Sequence, residues 1–149
     1  MKSKKIMPPT YLLIAMLVMI AIHFLFPGKL IIPPIWNLLG IIPVVLGVVI
    51  NLVADGSFHK VKTAVRPFEE SSVLVTDGFY RISRNPMYLG FVLTLIGIAI
   101  LLRSLTPYLV ILIFMVWIQR KLITAEEHML AEKFGAQWQE YQHTVRRWL

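Results

Sequence analysis

The chain is 149 residues long, about the length of one domain, and 57% of it is hydrophobic, with a mean hydropathy of +0.70. A soluble domain is usually about 45–50% apolar, so the surplus, which is concentrated in blocks, indicates membrane-spanning segments. The chain has no cysteine, which excludes disulfides, thiolate metal sites and cysteine nucleophiles. Its four histidines are scattered without metal-ligand spacing, so no metal is expected.

A net charge of +7 is compatible with nucleic-acid binding, but the distribution of the basic residues favours a membrane topology. Thirteen of the 15 basic residues fall on one side of the predicted spans, and only Lys29 and Arg103 lie in the opposite loops. Basic loops stay in the cytoplasm, so both termini and segment 55–84 are predicted to be cytoplasmic, in a multi-pass protein of the cell (inner) membrane. The expected partner is therefore a lipid bilayer, and no nucleic acid is expected.

Four apolar segments predict an all-α integral membrane protein. They cover about residues 11–26, 34–54, 87–102 and 108–118. No small-residue cleavage site follows the first, which is interpreted as a retained span and not as a signal peptide. Pro43 lies inside the second span, where it is expected to kink the helix or be accommodated by its neighbours. Residues 1–54 would form a two-span hairpin. Residues 55–149 would form a cytoplasmic connector, a second hairpin and an amphipathic tail, all within one structural domain.

The third span begins within the stretch Gly-Phe-Tyr-Arg-Ile-Ser-Arg-Asn-Pro-Met-Tyr-Leu-Gly, residues 78–90. Pro86 suits the first turn of a helix, and Asn85 suits the N-cap, where its side chain can accept a bond from a free amide. A helix start alone would explain these two residues. It does not explain two tyrosines and two arginines within nine residues.

The fourth span is predicted to continue as a helix that carries Glu126 and Glu127 into the cytoplasm and stops at Gly135. The two carboxylates could simply form a solvated helix face. Beside the first motif, however, they complete a polar pocket at one membrane face. Adjacent helical residues point about 100° apart, so one of the two is expected to face that pocket.

The order and spacing of these motifs resemble the C-terminal half of the isoprenylcysteine carboxyl methyltransferase and phospholipid methyltransferase superfamily of membrane enzymes. The resemblance covers roughly residues 56–149. It implies transfer of a methyl group from S-adenosylmethionine to a membrane-embedded acceptor, either an isoprenylcysteine-like carboxylate or a lipid headgroup. Glu126, the first glutamate, would contact the cofactor.

The site residues implied by this resemblance fall into three groups. The catalytic residues would be Arg84, Asn85 and Tyr88. The cofactor would be bound by Val73, Leu74, Val75, Tyr80, Asn85, Pro86, Met87, Tyr88, Glu126 and Glu127, with the tyrosine faces attracting the sulfonium. Arg120 and Lys121 would hold the substrate.

Two positions depart from the family pattern. Family members often have histidine where this chain has Asn85, which keeps hydrogen bonding but weakens a role in proton transfer. The best-known members have arginine where this chain has Leu122, four residues before Glu126. Two other functions fit this layout, namely an NADPH-dependent membrane reductase and a non-catalytic small membrane protein.

Overall fold

The computed structural model describes residues 7–60 and 73–149, and within these ranges the chain is helical without a β-strand. The prediction of an all-α fold is confirmed. The basic residues Lys2, Lys4 and Lys5 of the N-terminus, and Lys62 and Arg66 of the connector, lie outside the described residues.

Six α-helices are described. They are α1 (Pro8–Leu25), α2 (Ile41–Lys60), α3 (Pro86–Leu102), α4 (Thr106–Ile118), α5 (Thr124–Phe134) and α6 (Ala136–Thr144). A 3₁₀ turn, Trp36–Gly40, leads into α2, and a second, Gly78–Arg81, precedes α3. A π-helical turn, Gln119–Ile123, joins α4 to α5 without a break, so one continuous rod carries Glu126 and Glu127.

Three of the described helical segments are long and apolar enough to cross a membrane: Pro8–Leu25, Trp36–Lys60 and Thr106–Phe134. α3 is equally apolar in character but shorter, at 17 residues. Pro43 falls in the first turn of α2, where the missing N–H would have had no partner within that helix.

α2 is longer than the predicted span, because it continues from residue 54 to Lys60. Within this extension the His59 ring lies 3.2 Å from the Asp55 carboxylate, and Ser57 donates a hydrogen bond to the Val53 carbonyl. Side chains four residues apart are neighbours on a helix, so these local pairs help the helix to continue past its apolar part.

α2 and α3 pack with their backbones in close contact at two glycine pairs. A Cβ added to Gly47 would overlap the Gly90 carbonyl oxygen, and one added to Gly40 would overlap that of Gly97. Small residues allow helices to approach this closely in a membrane, where hydrophobic burial between helices gives little driving force. This contact holds the end of α2 beside the start of α3.

The main apolar core lies where α1, α3 and α4 meet, and Met19, Leu95 and Ile118 are fully buried there. At one end of the bundle the two predicted opposite loops are joined by backbone bonds. Ile31 N–H donates to the Arg103 carbonyl, and Leu105 N–H donates to that of Lys29. The motif residues gather at the other end.

Candidate active site

The Asn-Pro turn begins α3, whose first residue is Pro86, as predicted. Asn85 holds the N-cap position, since its carbonyl accepts from Leu89 N–H, but its side chain does not cap the helix. The predicted side-chain cap is therefore wrong. The Asn85 amide instead donates a hydrogen bond of 3.1 Å to the carbonyl of Arg147, and its backbone N–H donates to Ser83 Oγ.

The two motifs meet through a direct hydrogen bond between α3 and α5. The Tyr88 hydroxyl donates to Glu126 Oε1 over 2.7 Å. Tyr88 is buried, and its ring makes an edge contact with Phe91 at a centroid distance of 6.0 Å. A hydrogen bond to a carboxylate is stronger than one between neutral groups, so this contact fixes both side chains.

Tyr80 lies in the 3₁₀ turn before α3 and is buried in a small cluster with Ala54 and Val75. Phe58 of α2 packs edge-on against its ring at 5.5 Å, and Met87 also packs against this cluster. Burial, with a further contribution from the nearby Glu126 carboxylate, raises the pKa of Tyr80 above the ordinary tyrosine value. Tyr80 therefore stays neutral at physiological pH.

Glu127 does not share the direction of Glu126. It is buried and accepts two hydrogen bonds from the Arg147 guanidinium, one from Nη2 at 2.6 Å and one from Nε at 3.1 Å. Arg84 Nη1 lies 3.4 Å from the same carboxylate. These hydrogen bonds to Glu127 raise the pKa of Arg147. The neighbouring glutamates thus have separate partners, a tyrosine for Glu126 and two arginines for Glu127.

Arg84 lies in the interior, with its side chain only 10% exposed. Its guanidinium carbon lies 5.6 Å from the centre of the Trp138 ring, within cation–π range. Its Nε is buried without a hydrogen-bond partner among the described residues. A buried unsatisfied donor costs about 1–3 kcal/mol of folding free energy. The other contacts of Arg84 must therefore offset this cost.

The C-terminal strap, residues 145–149, crosses the Asn-Pro turn and was not assigned to the site from the sequence. Arg84 N–H donates to the carbonyl of Arg146, and the Ser83 hydroxyl donates to that of Arg147. At its end, Trp148 Nε1 donates to Gln119 Oε1 in the π turn. The available signal is the basic pair Arg146-Arg147 next to an aromatic residue, a pattern that by itself indicates only membrane topology.

α6 contacts the 3₁₀ turn before α3, because the Tyr141 hydroxyl donates a hydrogen bond of 2.6 Å to the carbonyl of Tyr80. Trp138, Tyr141 and Val145 form a buried cluster against which Leu74 packs. The sequence pattern places Tyr141 only in the amphipathic tail and does not identify it as a site residue.

The structure brings together most, but not all, of the residues predicted to form the site. Val75, Tyr80 and Met87 share one cluster, and Tyr88 meets Glu126. Val73 is exposed. Arg120 and Lys121 are also exposed, on the π turn. Leu122 is buried in the main core.

Comparison with known proteins matches residues 35–137 to the model of the phospholipid methyltransferase family. The chain belongs to this family. The match includes the Asn-Pro turn, both tyrosines and both glutamates, but it ends before the C-terminal strap.

Similar individual proteins include protein-S-isoprenylcysteine O-methyltransferase of Saccharomyces cerevisiae, 39% identical over 113 residues, covering 73% of this chain and 46% of that protein. Protein-S-isoprenylcysteine O-methyltransferase A of Arabidopsis thaliana is 32% identical over 113 residues, covering 71% of this chain and 55% of that protein. The chain thus spans about half the length of these relatives.

Among solved structures, the chain is similar to the eukaryotic intramembrane Ras methyltransferase, isoprenylcysteine carboxyl methyltransferase. The TM-score is 0.68 at 29% identity, covering 95% of this chain and 52% of that one. Together with the apolar helices, this likeness indicates that the chain is a membrane protein.

Proposed function

We propose that this protein transfers a methyl group from S-adenosylmethionine to an acceptor embedded in the membrane. The observation that carries the proposal is the hydrogen bond between Tyr88 and Glu126, and the buried Tyr80 lies in the turn that precedes α3. Two aromatic rings and one carboxylate suit a ligand that carries both a cation and hydroxyl or amino donors. Membership of the phospholipid methyltransferase family supports this interpretation.

When bound, S-adenosylmethionine supplies an electrophilic methyl group on a sulfonium sulfur. Tyr80 and Tyr88 would offer their ring faces to the sulfonium, and Glu126 would accept from a ribose hydroxyl or the amino group. Val75 and Met87, which pack beside Tyr80, would line the same pocket. Methyl transfer is an in-line displacement, so the residues act mainly by alignment and exclusion of water.

The acceptor would reach this site from the bilayer, because the motifs gather at one end of an apolar bundle. The named relatives support an isoprenylcysteine carboxylate as acceptor, and the family description supports a lipid headgroup. A carboxylate acceptor needs no general base, only a positive group to hold it. Arg120 and Lys121, both exposed next to the apolar helix α4, remain the proposed residues for this role.

The active end of the bundle would face the cytoplasm of the cell. The described residues at this end include Lys60, Arg81 and Arg84, whereas Lys29 and Arg103 lie at the other end. The positive-inside asymmetry therefore supports cytoplasmic termini and a cofactor that enters from the cytosol.

Calorimetry on the detergent-purified protein tests the proposal. S-adenosylhomocysteine should bind saturably, whereas NADPH should not. Methyl label should then pass from S-adenosylmethionine to a farnesylated cysteine or to a phospholipid amine in mixed micelles. Binding of NADPH alone would favour a reductase, and binding of neither ligand would favour a non-catalytic protein.

A further inference from the structure

The C-terminal strap and the two motifs form a single polar network whose centre is Arg147. The Arg147 side chain makes both of its hydrogen bonds to Glu127 on α5. Its backbone carbonyl accepts from the Ser83 hydroxyl and the Asn85 amide, on the turn before α3. Arg147 thus contacts both the turn before α3 and helix α5, the two elements that contain the proposed donor site.

The Glu127 end and the turn of this network are buried, and the Arg147 side chain itself is 37% exposed. The Glu127 side chain is only 10% exposed, and Ser83 and Asn85 are buried. A carboxylate in such surroundings is stable as an anion only when it is paired, and the bidentate guanidinium fixes its direction as well as its charge. Glu126 is the next residue on the same helix, so its direction follows from that of Glu127.

From this geometry we infer that Arg147 is a positioning residue for the proposed methyl-donor site. It acts through Glu127, which sets the rotation of α5, and through the turn at Ser83 and Asn85, which sets the start of α3. Together these contacts place the Tyr88–Glu126 pair. Glu127 is thereby assigned to alignment of the site and not to direct contact with the donor. The inference rests on the proposed function.

The test compares Arg147→Ala with Arg146→Ala, a matched control whose side chain is exposed and one residue away. S-adenosylhomocysteine is titrated into each full-length protein in detergent, well below its unfolding temperature. Arg147→Ala should weaken binding on the order of 10-fold or more, as expected for lost charged hydrogen bonds, and Arg146→Ala should leave it unchanged.

A second measurement separates positioning from a general loss of stability. If Arg147 acts through Glu127, the double variant Glu127→Gln/Arg147→Ala should bind no more weakly than the worse single variant. In turnover assays the donor KM should rise, while kcat at saturating donor changes little. Additive losses of affinity in the double variant would overturn the inference.

Arg147→Lys keeps the positive charge but cannot make the paired hydrogen bonds, so its affinity should lie between those of the unmodified protein and Arg147→Ala. It replaces Arg147→Ala if that variant does not fold. If the unmodified protein binds S-adenosylhomocysteine and both Arg147→Lys and Arg147→Ala bind it with the same affinity, this inference is overturned and the proposed function is not. Failure of the unmodified protein to bind would overturn the proposed function and the inference with it.

Discussion

The Tyr88 hydroxyl and Glu126 Oε1 lie 2.7 Å apart although the two residues are 38 positions apart in the chain. Tyr88 is in the first turn of α3, and Glu126 is in the first turn of α5. Each motif alone is compatible with an ordinary helix end. Their hydrogen bond joins the two motifs in a common site.

Glu126→Gln should weaken binding of S-adenosylhomocysteine by roughly 10- to 150-fold, because a charged hydrogen bond is worth about 1.5–3 kcal/mol. Its fold should stay intact. Glu127→Gln should cost more stability than Glu126→Gln, since it leaves Arg84 and Arg147 without their carboxylate. Calorimetry and thermal unfolding in detergent measure the two effects.

Glu132→Gln, on the exposed side of α5, is the control for this pair. It should alter neither affinity nor unfolding temperature. Unchanged affinity in Glu126→Gln would refute the assignment of Glu126 to the donor.

Tyr80→Leu and Tyr88→Leu should each reduce affinity for the sulfonium donor by about 0.5–2 kcal/mol, because leucine keeps apolar area but lacks the aromatic face. The product, S-adenosylhomocysteine, whose sulfur is a neutral thioether, should lose less. Parallel titrations of both ligands decide the matter, with Tyr108→Leu at the start of α4 as a control. Equal losses for donor and product would argue against a cation–π role.

Tyr80→Phe should make the protein more resistant to alkaline unfolding. Because the pKa of Tyr80 is raised in the folded state, its stabilising effect is complete below the unfolded value of about 10 and is lost as pH rises through the folded value. Phenylalanine keeps the ring contact with Phe58 but cannot ionise. Thermal unfolding at a series of pH values above about 10 measures this difference, and superimposable curves for both proteins would contradict it.

Gly47→Ala should destabilise the protein by about 1–3 kcal/mol, because the new methyl group would overlap the Gly90 carbonyl across the α2–α3 contact. Gly56→Ala is the matched control on the same helix. Its Cβ would meet no atom of residues 7–60 or 73–149 within 4 Å, so alanine should be neutral or stabilise the helix by up to about 1 kcal/mol. Unfolding temperatures in one detergent compare the two, and equal effects would show that the helices do not touch at Gly47.

A cysteine introduced at Lys60 should be labelled from the cytoplasmic side, and one at Lys29 from the opposite side. The chain contains no cysteine, so each variant carries a single reactive thiol. A membrane-impermeant maleimide on intact cells should react at position 29 only. Labelling at position 60 in sealed cells would reverse the proposed topology.

Local patterns predicted the ends of several helices correctly, because proline and glycine act through their own backbone geometry. Pro86 begins α3 and Gly135, with φ of 49°, follows the end of α5. The separate directions of Glu126 and Glu127 also followed from helix periodicity.

Contacts that depend on the folded tail were not predictable in the same way. Asn85 has the residue type and position of a capping side chain, yet its side-chain amide donates a hydrogen bond to the carbonyl of Arg147, 62 residues later in the strap. Arg147 was counted as one more cytoplasmic charge, and nothing local shows that it meets a buried carboxylate. The π turn was also missed, since its residues continue the helical pattern without a proline or glycine.

The π turn at Gln119–Ile123 sets the rotational phase of everything that follows it. Thr124 directs both its backbone N–H and its hydroxyl to the Gln119 carbonyl, five residues back, so one more residue is accommodated than an α-turn holds. If the same residues formed a regular α-helix instead, the extra residue would turn the carboxylates by about 100° relative to α3. The distance between the site and the membrane-spanning core would hardly change, yet Glu126 would no longer face Tyr88. The π turn, which immediately precedes α5, therefore determines which side chains of α5 face the site.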